Sequence, residues 1–163
     1  MRKPSAIAGS AVFFIVAPCL IAGLAPWGIT RWQDASVSPL AIIPAAILIL
    51  SGIAVLLHAF ARFALEGGGT PAPVAPTERL VIGGIYRHVR NPMYVAVIAI
   101  IFGQALLFSS SALVLYGALV AAAMVAFVLT YEEPTLSRRY GASYQTYRQN
   151  VPGWLPRLTP WRG

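Results

Sequence analysis

No charged side chain occurs between Pro4 and Thr30. Within that run Ile7–Trp27 is long enough to cross a hydrocarbon core of about 30 Å at about 1.5 Å per helical residue. A second run, Pro39–Phe60, is interrupted only by the titratable His58, and Tyr94–Phe108 and Ala112–Tyr131 follow on either side of Ser109–Ser111. Mean hydropathy is +0.70, far above what a soluble core requires. The pattern predicts an all-α integral membrane protein, a single membrane domain over residues 1–163. It has about four transmembrane helices, the last two forming a helical hairpin. The third span is short, about 22 Å, and should cross obliquely or only dip into the bilayer. Arg2 and Lys3 precede the first run as in a signal peptide, but that run exceeds the usual ~7–15-residue apolar core and has no clear small-x-small exit. We therefore expect a retained helix, kinked at Pro18, and a second helix with Pro44 in its first turns.

Twelve Lys and Arg against five acids give a net charge of +7. The basic residues lie between apolar stretches rather than along a soluble stripe, which excludes nucleic acid and favours anionic lipid headgroups. Translocated loops are poor in Lys and Arg. Four spans place Arg2, Lys3, Arg62, Arg79, Arg87, Arg90, Arg138, Arg139, Arg148, Arg157 and Arg162 on one side, the cytoplasm, and leave only Arg31 opposite. Both termini are then cytoplasmic. The organisation becomes residues 1–61 for two N-terminal helices, 62–93 for a cytoplasmic loop, 94–131 for the hairpin and 132–163 for an interfacial C-terminal helix with its tail. The stretch "EGGGTPAPVAP" in the loop cannot continue a helix and should run extended.

Two polar clusters stand out against this background, Tyr86–Tyr94 and the pair Glu132 and Glu133. Arg87, His88 and Arg90 suit a positive-inside flank, with Asn91 capping the third span and Pro92 at its first position. The glutamates have no such explanation. At the cytoplasmic end of a helix they oppose both the helix dipole and the anionic lipid surface, so they require a cationic partner, either a protein arginine or a ligand. Tyr140, Tyr144 and Tyr147 share one helix face by spacing, and Trp154 and Trp161 suit the headgroup belt. Cys19 and His58 lie in apolar runs and read as packing residues; a lone cysteine excludes an intramolecular disulfide or a multi-cysteine metal site, and no metal is expected. Gly67–Gly69 lacks the lysine of a phosphate loop, and no G-x-G-x-x-G follows a strand, so a soluble Rossmann-type enzyme is excluded.

"GGIYRHVRNPMY", with "GTPAP" before it and "YEEPTLSRRYGASYQTYRQNVPGWLP" after it, resembles the isoprenylcysteine carboxyl methyltransferase family and the related phospholipid N-methyltransferases. Those proteins share G-x-Y-R-x-x-R-[HN]-P-x-Y, a hydrophobic hairpin, then E-E-x-x-L, F/Y-G-x-x-Y-x-x-Y and V-P-x-x-x-P. The match spans about half the chain, from Gly69 to Pro156. The resemblance implies S-adenosylmethionine-dependent methyl transfer at the cytoplasmic membrane surface, with S-adenosylhomocysteine as product and a lipophilic small molecule or lipid as acceptor. It implies a cofactor site drawn from Gly84, Tyr86, Arg87, His88, Arg90, Asn91, Pro92 and Tyr94 in the first motif. Glu132, Glu133, Tyr140, Tyr144 and Tyr147 come from the second, and Arg90, Glu132 and Glu133 are the catalytic candidates. Two positions depart from the pattern: Asn91 stands where the prenyl-cysteine enzymes usually have histidine, and Ile85 where proline is expected. Asparagine still offers a donor and an acceptor.

The chemistry of such a cofactor suits these residue types. Its carboxylate suits Arg87 or Arg90, its ribose hydroxyls and ammonium suit Glu132 or Glu133, and its adenine and sulfonium suit tyrosine rings. Methyl transfer then rests on alignment of nucleophile, methyl and sulfur, with a base such as His88 or a glutamate needed only for a protonated acceptor. Two other functions compete. Sterol reductases look similar around R-[HN]-P-x-Y, which raises an NADPH-dependent membrane reductase, and a non-catalytic lipid-binding scaffold would keep the same spans. The acceptor atom and oligomeric state are left open, although "GALVAAAM" offers small residues for close helix contact.

Overall fold

The computed structural model describes residues 16–31, 39–66 and 79–163, and among these it is helical with no strand. Helix α1 spans Val16–Thr30, α2 Pro39–Glu66, α3 Pro92–Leu107 and α4 Ser111–Phe127. Through a π-helical turn at Val128–Glu132, α4 runs on into α5, Glu133–Tyr140; Gly141 separates α5 from α6, Ala142–Asn150. Arg2, Lys3 and the start of the first span, like most of the glycine and proline segment, lie outside the described residues.

Two helices are long and apolar enough to cross a membrane, Pro39–Arg62 and Ser111–Tyr140, while Val16–Thr30 and Pro92–Leu107 are shorter. Only 11% and 17% of their most apolar windows are buried inside the protein. The core helix of a soluble protein would be mostly covered, whereas here Leu40, Ile43, Ile47, Leu50 and Leu57 leave one face of α2 bare. Such a surface belongs in lipid.

What α2 buries is small. Ala45, Gly52 and Ala59 recur at heptad spacing, a seam that lets two backbones approach closely. Helix α3 lies antiparallel along it. A Cβ on Gly103 would meet Ile49 and the Ala45 carbonyl, one on Gly52 would stand 2.9 Å from the Ala96 carbonyl oxygen, and Ala59 packs with Tyr86 and Met93. After α3 the chain reverses through Ser109, which takes a positive φ of 48°, and Ser110, whose hydroxyl accepts from the Leu113 amide at the start of α4. Gly117 of "GALVAAAM" then rests against Ile101 and Phe102. Ile21 and Ala22 of α1, Leu56 of α2, Val97 and Ile101 of α3, and Tyr116 and Val120 of α4 meet in one apolar cluster.

Among the described residues proline accompanies two irregularities; the turn before Pro18, where a kink was expected, lies outside them. In α1 a π-helical turn covers Leu20–Leu24, where the Ala25 amide reaches back to the Leu20 carbonyl. Pro26 follows and has no N–H to give, so the carbonyls of Ile21 and Ala22 lose their helical donors. Neighbouring helices supply them: Tyr116 Oη donates to Ile21 at 2.8 Å and Gln104 Nε2 to Ala22 at 2.6 Å. That explains a buried glutamine in the middle of an apolar helix. Gln104→Leu should therefore destabilise the fold by about 1–3 kcal/mol, although it raises hydrophobicity. Thermal unfolding in detergent checks this, with Tyr116→Phe as the companion variant. The same arrangement recurs in α4, where the Glu133 amide reaches back five residues to the Val128 carbonyl, immediately ahead of Pro134.

Candidate active site

The first motif is held between α2 and the C-terminal helices. Leu80, Val81 and Ile82 are non-helical and alternate, Val81 facing Ala59 and Tyr86 while Leu80 and Ile82 pack with Tyr144, Tyr147 and Val151. Gly84 then turns the chain at φ 57°, and a Cβ there would collide with His58 Nε2 and Arg62 Nε on α2. Glu66, which ion-pairs with Arg62, accepts from the Gly83 amide at 3.0 Å. Gly84 thus faces the end of α2, and His58, Arg62 and Glu66 support the motif. Sequence reasoning missed these three because the glycines they meet lie 17 or more residues away in sequence.

The tail clamps the other side. The amides of Arg90 and Asn91 donate to the carbonyls of Pro152 and Gly153, and those of Arg157 and Trp161 to His88 and Arg87. His88 Nδ1 donates to the Arg157 carbonyl at 2.8 Å, so the imidazole fastens the tail. Trp161 packs on Tyr147 and Trp154 on Tyr94.

The two glutamates part company. Glu133 is buried and bound by Arg90 Nη1 and by Arg148 at 3.1 Å. Arg90 also donates through Nε to the Val151 carbonyl at 2.9 Å and through Nη1 to Tyr144 Oη at 3.1 Å. With side-chain exposures of 13% and 8%, Arg90 and Glu133 form a buried ion pair tying α5, α6 and the motif together. Glu132 has a different partner. It accepts from Tyr94 Oη at 2.8 Å, and among the described residues no cation lies within 4.0 Å of it. The expected conflict with a helix C-terminus is absent, because the helix continues through Tyr140 and both acids sit at its π-turn.

Asn91 was expected to cap α3 and does not: its side chain makes no capping bond, and its own amide turns to Gly153. Its carboxamide is 8% exposed and lies beside Arg90 and Gly153 without a hydrogen-bond partner among the described residues. Pro92 holds the first position of α3, fully buried, while Arg87 points into solvent. Tyr144 and Tyr147 are core residues, and Tyr147 Oη donates to the Tyr86 carbonyl at 2.7 Å. Tyr140 flanks them with Arg139 over its ring.

The sequence profile of the phospholipid methyltransferases matches residues 40–143, well over half of the chain. The chain belongs to the phospholipid methyltransferase family. No curated protein and no solved structure matches it. The matched region runs from α2 to the start of α6 and contains Arg90, Asn91, Tyr94, Glu132 and Glu133. Membership in this family, with the lipid-facing helices, makes the chain an integral membrane protein of methyltransferase type.

Burial pushes the phenols of Tyr86 and Tyr147 well above their ordinary value, in Tyr147 against the opposing pull of Arg90. Tyr144 is raised by burial and by Glu133, Arg90 again opposing. A phenol raised in the folded state favours folding fully below its unfolded pKa of about 10 and loses that contribution as pH climbs through the folded value. The C-terminal helices should hold to about pH 10 and loosen above it. Phenolate absorbance would show these tyrosines ionising late and together with unfolding.

Proposed function

We propose that the chain is an S-adenosylmethionine-dependent methyltransferase acting on a lipophilic acceptor at the cytoplasmic face of the membrane. Four spans, the last two a hairpin, bring both termini and both motifs to that face, so cofactor arrives from the cytosol and acceptor from the bilayer. The observation that carries the reading is the split between the glutamates: Arg90 and Arg148 saturate Glu133, while Glu132 has only a neutral phenol. A half-buried carboxylate without a cation is costly, and a cationic or hydroxyl-bearing ligand offsets that cost.

The residues present suit S-adenosylmethionine. Glu132 accepts from its ammonium or ribose hydroxyls, and the carboxamide of Asn91, at the start of the same α3 helix that carries Tyr94, offers a donor and an acceptor. For the ligand carboxylate the exposed Arg87 is less committed than Arg90, whose Nε and Nη1 are already engaged. When bound, this cofactor supplies an electrophilic methyl group on a sulfonium. Tyr94 holds Glu132 in place, and burial of Pro92 fixes the start of α3 on which both Asn91 and Tyr94 depend. Arg90 and Glu133 act as positioning residues. Incubating membranes that contain the protein with methyl-labelled S-adenosylmethionine, then analysing the lipid extract by mass spectrometry, should reveal a labelled lipid. No label in any extractable species, from protein shown to be folded, would remove the reading.

A further inference from the structure

Trp154 lies outside the matched family region and outside both motifs' site residues, yet through Tyr94 it joins Glu132, the one acid among the described residues with no cation. Its ring centroid is 6.3 Å from that of Tyr94, the planes inclined by 35°, and the Tyr94 hydroxyl in turn holds Glu132. All three side chains are half-buried, so each keeps part of its surface reachable. The backbone fixes Trp154 there: Pro152 and Gly153 just before it accept from Arg90 and Asn91, and a Cβ on Gly153 would stand 3.2 Å from the Arg90 guanidinium, so only glycine lets this segment lie so close to the first motif. Two electron-rich ring faces beside a carboxylate form a surface that attracts an alkylated cation. The rings supply their quadrupole to the methyl groups, and the carboxylate balances the charge without needing a hydrogen bond from it.

We infer that Trp154, with Tyr94 and Glu132, is a recognition site for an alkylated onium centre, in which Trp154 discriminates a charged methyl-bearing ligand from its neutral counterpart. The inference rests on the methyltransferase reading above. The onium is either the sulfonium of the cofactor or a methylated ammonium on acceptor or product; the ring chemistry is common to both. An adenine-stacking role for Trp154 predicts something else, equal effects on charged and neutral cofactor forms.

The test uses the full chain in detergent or nanodiscs and measures affinity for two pairs. One pair is S-adenosylmethionine and the neutral S-adenosylhomocysteine; the other is a trimethylammonium amphiphile and its tert-butyl isostere. Trp154→Leu should weaken the cation of one pair by roughly 2- to 30-fold while leaving its neutral partner unchanged. Loss in the first pair assigns the site to the sulfonium, and loss in the second to an ammonium headgroup. Trp154→Phe, which keeps a ring face, should restore most of the preference, and Trp154→Met serves if the leucine variant fails to fold. Equal change for cation and neutral analogue in both pairs, or no change in either, overturns the inference. Wild-type protein that binds neither cofactor form would instead contradict the methyltransferase reading, and the amphiphile pair would still decide the role of Trp154.

Discussion

Arg90→Ala is expected to lower unfolding stability by about 3–5 kcal/mol, the cost of leaving a buried carboxylate uncompensated. The guanidinium binds Glu133, Tyr144 and the Val151 carbonyl at once, so its loss frees α6 and the tail from α5. Arg148 approaches the same carboxylate from a side chain that is 46% exposed. Its alanine variant should cost under about 1 kcal/mol. Arg90→Met combined with Glu133→Leu should recover most of the loss, because apolar residues of similar volume replace a buried pair at little cost. Equilibrium unfolding in mixed micelles gives all four values. A residue whose only task was to hold a ligand carboxylate would show none of this pattern: Arg90→Ala would stay as stable as the parent, and the double variant would rescue nothing.

Glu132→Ala should do the reverse. It removes one hydrogen bond from Tyr94, worth about 0.5–1.5 kcal/mol, and leaves the Arg90 clamp untouched. Cofactor affinity should fall by about 2–4 kcal/mol, the usual effect of deleting one member of a charged, hydrogen-bonded contact. That is roughly 30- to 1000-fold at about 1.4 kcal/mol per decade. Glu132→Gln keeps an acceptor for Tyr94 but no charge, and should fall between. Adjacent acids in the sequence thus separate into one variant defective in folding and one defective in binding, which thermal melting and ligand titration distinguish.

How far the sequence carried this account depends on the range of each interaction. Apolar runs reveal helices because every residue contributes to the same signal, and α2, α3 and α4 lie close to the expected Pro39–Phe60, Tyr94–Phe108 and Ala112–Tyr131, two of them long and apolar enough to cross a membrane. The ordered motifs likewise brought the right segments to one place, since the tail and the first motif are joined by four backbone hydrogen bonds. Individual roles were harder to read. That an acid at 132–133 takes arginine follows from charge alone, but which acid the arginines take depends on the register after the π-turn, and that turn precedes Pro134 in a helix expected to have ended. Asn91 looked like a cap because local spacing permits it; the strap of residues 152–153, some 60 residues downstream, takes its backbone amide instead. The prolines were visible, yet the consequence of Pro26 appears on Gln104 and Tyr116, in other helices.

Calorimetric titration of the purified, folded protein with S-adenosylhomocysteine tests the central claim most directly. The account predicts saturable binding in the parent, near-parent binding in Arg148→Ala, and binding weakened at least about 30-fold in Glu132→Ala. Absence of binding in a protein whose melting transition is intact would contradict it.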